Sequence, residues 1–149
     1  LAMTRNLPDA GLRPLAGMAL LESLSLDAAV RVTDAGRVHV GRLTGLRSLD
    51  LGGTRVGDAG VARLAGLTEL RALNLSVHER AAITSAALKY LVGMKHLERL
   101  DLFGRSGFRD LRPLHALKSL KFVDARSTGV SEEEADALRK AVPGVKVDR

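Results

Sequence analysis

Histidine is the side chain best suited to move a proton near neutral pH or to ligate a metal, and this 149-residue sequence holds four: His39, His78, His96 and His115. No two lie four residues apart, as two ligands on one helical face would, and no zinc-ligand spacing occurs. Each therefore reads as a solvated or ridge histidine. Cysteine is absent, which excludes disulfides and thiolate chemistry within the segment. Ser25 and Ser48 alternate with leucines in strand-like runs, and no strand-turn-helix elbow presents either as a nucleophile. The Asp-Ala-Gly triplets at 9–11, 34–36 and 58–60 lack the Lys-Ser/Thr of a phosphate loop and lead into apolar residues. The sequence thus predicts no enzyme, no metal and no cofactor, and what it offers instead is surface held in place by repetition.

That repetition is an apolar signature that returns along the chain: LAGMALLESLSL (15–26), VGRLTGLRSLDL (40–51), LAGLTELRALNL (64–75), LVGMKHLERLDL (91–102), LHALKSLKFVDA (114–125) and a contracted AVPGVKV (141–147). Aligning the Leu-x-Leu cores on Leu24, Leu49, Leu73, Leu100, Val123 and Val145 gives steps of 25, 24, 27, 23 and 22 residues. Between copies stand VTDAGRVHV (32–40), VGDAGVARL (56–64), ITSAALKYL (83–91) and VSEEEADAL (130–138). Each sets a β-branched apolar residue before Thr, Ser, Gly or Asp and then an apolar pattern of helical period, so short helices or helical turns are expected. Asp34, Asp58 and Ser131 are expected as N-caps, and Ser131 with Glu134 as a capping box.

In period and in pattern the chain resembles the leucine-rich repeat, one short strand plus one helical return per unit. The resemblance covers essentially the whole chain. It implies an α/β fold: a right-handed solenoid with a parallel β-sheet on the concave side, short helices on the convex side, and each repeat supporting its neighbours. The repeats are similar to ribonuclease-inhibitor-like and GALA-like versions, although Thr54, His78, Arg105 and Thr128 stand where Asn is usual after the strand. The 103–114 return resembles the shorter internalin-like class, so a tighter turn is expected there.

One domain over 1–149, of about six repeats, is expected, with a C-terminal capping repeat at 130–149. Leu1, Met3 and Asn6 fit the remnant of an upstream strand, as though the chain starts inside a repeat. With 46% hydrophobic residues the chain can bury a continuous core, and no apolar run reaches the length of a membrane span. The lack of cysteine-rich caps points to a cytoplasmic setting, a secreted effector being left open by the expected start inside a repeat. Richness in Ala, Gly, Leu and Arg points to a bacterial source.

Strand alternation places the leucines of each core inward and the residues before, between and after them on the concave surface. The leading column reads Ser23, Ser48, Ala72, Arg99, Phe122, Gly144. The middle column is Ala2, Ser25, Asp50, Asn74, Asp101, Asp124, Lys146, and the trailing one Thr4, Asp27, Gly52, Ser76, Phe103, Arg126, Asp148. With strands about 4.8 Å apart, Phe122 should flank Arg99 and Phe103 should flank Arg126, both rings exposed. Arg and aromatic residues dominate binding hot spots. The expected protein-partner site is therefore Arg99, Asp101, Phe103, Phe122, Asp124 and Arg126.

The formal charge of +6 offers a competing reading. The concave columns hold five acids and three bases, which leaves about eight net positive charges elsewhere. Arg47, Arg71 and Lys121 share one repeat position and are expected to form a basic ridge, but no aromatic interleaving or nucleic-acid motif accompanies them. The function predicted is a protein-interaction scaffold, the recognition part of a larger protein. A sensor or autoinhibitory segment is the alternative, and a basic nucleic-acid surface ranks third. Oligomeric state is not legible.

Overall fold

The computed structural model describes residues 6–76, 83–104 and 107–149, with the backbone alone at Arg37. The Leu1–Met3 remnant, the extra residues of the longest repeat step at 77–82, and Arg105 lie outside the described residues.

Six three-residue strands form one parallel sheet in chain order: β1 (Ser23–Ser25), β2 (Ser48–Asp50), β3 (Ala72–Asn74), β4 (Arg99–Asp101), β5 (Phe122–Asp124) and β6 (Lys146–Asp148). Their central residues Leu24, Leu49, Leu73, Leu100, Val123 and Val147 pair in register and are all buried. Leu26, Leu51, Leu75, Leu102 and Ala125 form a second buried row just past the strands. The convex returns are short, as expected: α1 (Arg37–Val40), α2 (Asp58–Ala62), α3 (Glu132–Ala141) and 3-10 turns over Asp9–Gly17, Ser85–Leu91 and Arg112–Ala116. The 3-10 geometry of the 103–114 return is thus shared with two others and does not set it apart.

The last repeat departs from the sequence alignment. Val147, not Val145, pairs with Val123, so Lys146 stands beside Phe122 and Asp148 beside Asp124. The final step is 24 residues rather than 22. A two-residue slip leaves side chains on the same face, so alternation alone could not separate the registers. Pro143 and Gly144, the latter at φ +89°, form the turn between α3 and β6.

The N-cap expectations also need correction. Ser131 does cap α3, its Oγ accepting from Glu134 N–H at 3.2 Å, but the Glu134 carboxylate accepts from Leu111 N–H of the preceding repeat. Asp34 and Asp58 do not cap their own helices. Asp58 accepts from the N–H and hydroxyl of Thr84, both at 2.7 Å, and Asp34 accepts from Gly57 N–H at 2.9 Å. Asp9 does the same for Thr33, and the Ser85 hydroxyl takes the N–H groups of Arg109 and Asp110. The first four returns thus satisfy backbone donors at the start of the next one, where helix geometry leaves them without partners, and α3 does so for the return before it. The glycines of the triplets make room for this ladder, since a Cβ at Gly36 or Gly60 would collide with the carboxylate of Asp9 or Asp34.

A second periodic constraint lies where the chain leaves each strand. Ala28, Gly53, Gly104 and Ser127 hold one repeat position, all with positive φ: 56°, 65°, 116° and 61°. The first three donate their N–H to the next repeat, to the carbonyls of Gly52, Ser76 and Arg126. Thr54 and Thr128, in the place of the usual Asn, donate their hydroxyls to the carbonyls of Leu51 and Ala125. Left-handed backbone costs a non-glycine residue about 1–2 kcal/mol. Ser127 is exposed, so Ser127→Gly should relieve that strain with little loss of packing and raise the melting temperature, whereas Ser127→Val should lower it. Thermal melts in which Val stabilises and Gly destabilises would contradict the turn.

Candidate functional site: the concave face of the sheet

The middle column of the concave face has a structural duty. Asp50, Asn74, Asp101 and Asp124 each turn a side-chain Oδ1 back to accept the N–H two residues on, at Gly52, Ser76, Phe103 and Arg126, over 2.8–3.1 Å. These bonds shape the strand exits and fix what the trailing residues present. Asn74 shows that a neutral amide serves as well as a carboxylate.

The six residues expected as the partner site converge on β4, β5 and their exits. Arg99 pairs across the sheet with Phe122, its guanidinium 4.4 Å from the ring centroid, while Arg126 stands 5.6 Å from the Phe103 ring. Both rings are half-buried rather than exposed, because the guanidinium groups cover them. Asp124 is only 3% exposed. Arg126 grips it with two bonds, Nε to Oδ1 at 2.9 Å and Nη2 to Oδ2 at 2.6 Å, and that grip holds the Asp124 carboxyl below its ordinary value. Asp101, between the two aromatic pairs, goes the other way. Burial pushes its carboxyl up, with the charge of Asp124 adding to the effect against the Phe103 N–H and the two arginines.

Sequence reasoning missed Lys146. In the corrected register it lies on the strand beyond Phe122, its Nζ 5.5 Å from the ring centroid and 3.1 Å from Asp148, so Phe122 has a cation on either neighbouring strand. The signal was present in the Lys-Val-Asp of 146–148, which repeats the strand pattern once Val147 is taken as its centre. The expected basic ridge is also corrected. The repeat position of Arg47, Arg71 and Lys121 also carries Glu22 and Glu98, and all three cations are paired there: Arg47 with Glu22 at 3.5 Å, Arg71 and Lys121 with Glu98 at 3.1 and 2.5 Å. The Lys121 bond first, then Arg71, hold the Glu98 carboxyl below its usual range. Along this ridge the order is Glu22, Arg47, Arg71, Glu98 and Lys121, so the cations are interspersed with acids and Glu98 serves two of them.

Of the histidines, His39, His96 and His115 stand on separate repeats and His78 lies outside the described residues. No group of three His, Asp or Glu side chains gathers to hold a metal among the described residues. No helix among them is long and apolar enough to cross a membrane.

Parallel strands of fixed register with helical returns define a leucine-rich-repeat solenoid, and the chain is a leucine-rich-repeat protein. Solved structures share this fold. It is similar to internalin C2 of Listeria monocytogenes, with 26% identity and a TM-score of 0.71 over 91% of this chain and 54% of that one. Internalin F of the same species follows at 20% identity and a TM-score of 0.65, over 89% of this chain and 42% of the other. A leucine-rich-repeat protein of Leptospira interrogans matches at 20% identity and a TM-score of 0.59, over 90% of this chain and 38% of the other. The chain spans about half or less of the length of these structures, and their bacterial sources fit the composition. No protein-family model matches the chain, and no curated protein matches it.

The Asp101 environment has a measurable consequence. Folding raises this carboxyl above 3.8, so the folded state holds its proton more tightly, and the stability tied to that proton is lost as pH rises past the folded-state pKa. Asp101→Asn keeps the bond from Phe103 N–H and removes the half-buried charge. It should melt higher than the parent at pH 7 and no higher at pH 3. A lower melting temperature at pH 7 would show that the ionised carboxylate stabilises the sheet.

Proposed function

We propose that the chain is the leucine-rich-repeat recognition part of a larger protein-interaction scaffold, and that Arg99, Asp101, Phe103, Phe122 and Arg126 form its contact surface for a protein partner, with the buried Asp124 holding Arg126 in place. The observation that carries this reading is the pair of phenylalanines on adjacent repeats, each lying under an arginine whose position the sheet sets. Such groups bury large area while little of their motion remains to be lost on binding. The self-paired charge of the Arg47, Arg71 and Lys121 ridge supports a protein partner over nucleic acid, which is held by cations free to meet phosphate.

Hot-spot behaviour is the test. For a protein captured by the chain, Phe103→Ala or Phe122→Ala should weaken binding by about 2 kcal/mol or more, roughly thirtyfold in Kd. Replacing Arg47, Arg71 and Lys121 together with Gln should act weakly. Calorimetric titration giving the reverse order would move the contact surface to the ridge.

A further inference from the structure

Beside the aromatic pairs lies a hollow of about 370 Å³ that those six residues do not explain, lined chiefly by Ser48, Asp50, Ala72, Asn74, Arg99 and Asp101. The leading column steps down from Arg99 on β4 to Ala72 on β3 and Ser48 on β2, which leaves the sheet floor open beside Arg99. Its walls are electrostatically unbalanced. Further along the sheet the concave acids are matched within the chain, Asp124 by Arg126 and Asp148 by Lys146. Asp50 and Asp101 give Oδ1 to their own strand exits and, among the described residues, have no cation within 4 Å of their carboxylates. Arg99, the cation on the wall, lies on the Phe122 ring and, like Arg126, acts on Asp101 through space rather than by an ion pair.

We infer that this hollow seats a lysine or arginine side chain of the protein partner, with its aliphatic stem over Ala72 and its charged head between Asp50 and Asp101. The inference rests on the concave face being the partner surface and names the chemistry recognised there. Asp50 and Asp101 are two strands apart, about 10 Å by the usual strand spacing, so a head midway lies within about 5 Å of both, beside the Asn74 amide. Charge complementarity selects the occupant. Two carboxylates against one guanidinium repel an acidic side chain and attract a basic one. Long side chains commonly lay their stems on apolar surface while the head stays polar, which suits a floor that holds Ala72, paired with Ser48 across the sheet.

The probe is a capped Gly-Lys-Gly-Lys-Gly peptide and its Glu counterpart, each titrated at low salt into the 15N-labelled chain while amide shifts are followed. The Lys peptide should shift Gly52, Asn74 and Phe103, and Asp50→Asn with Asp101→Asn should weaken it at least about tenfold, the scale of a close charge pair. Asn74 already makes the same exit bond, so both variants keep the fold, and the unshifted remainder of the spectrum checks this. The Glu peptide should leave these amides in place. Stronger shifts there with the Glu peptide, Lys shifts unchanged in the double variant, or none at the hollow up to millimolar peptide would each overturn the inference. If a captured protein is weakened by Phe122→Ala but not by the double Asn variant, the cation seat fails while the contact surface stands.

Discussion

No repeat of this chain can bury its own leucines. A three-residue strand with a single short return leaves apolar surface on both of its flanks, and only the neighbouring repeats cover it. The in-register column from Leu24 to Val147 is the result. Once the column is fixed, the residue on either side of each buried leucine must fall at a set place on the concave face. Arg99 meets Phe122, and Ala72 opens a hollow beside Arg99, for no reason other than position in the repeat.

Polar groups reinforce the same dependence. The bonds from Asp9, Asp34, Asp58 and Ser85 join each return to the next, and Glu134 closes the series from α3 back to Leu111. Removing one such acceptor leaves a backbone donor of a neighbouring repeat without its partner, at a cost of about 1–3 kcal/mol where it is buried. The convex side near these bonds is therefore occupied with holding the stack. On the concave side that duty falls to Oδ1 of Asp50, Asn74, Asp101 and Asp124, which leaves the second oxygens of Asp50 and Asp101, the rings and the guanidinium groups to face a partner.

The fold was legible because the hydrophobic period is long and nearly regular, and the neighbours of Phe103 and Phe122 followed from strand order alone. Three features were read differently because their signals are weak or distant. The last register slipped by two residues, since Val145 and Val147 both face inward and are both buried. Asp34 and Asp58 looked like local caps because their partners, Gly57 and Thr84, lie 23 and 26 residues away, beyond any capping pattern. The ridge of Arg47, Arg71 and Lys121 looked basic only because Glu22 and Glu98 at the same position were left out. The hollow was available in principle: Ser48 and Ala72 are small residues in a column that later carries Arg99 and Phe122. Which acids remain unmatched depends on side-chain paths that no spacing rule specifies.

The central claim is that a partner is gripped on the concave face, around two phenylalanines held in place by the stack. Hydroxyl-radical footprinting tests it most directly, because it reports side-chain cover without substituting any residue. With a captured protein bound, oxidation of Phe103 and Phe122 should fall severalfold while Met18 and Tyr90, away from the strands, react as in the free chain. Unchanged labelling of both phenylalanines with loss at Tyr90 would contradict the account and place recognition on the convex returns.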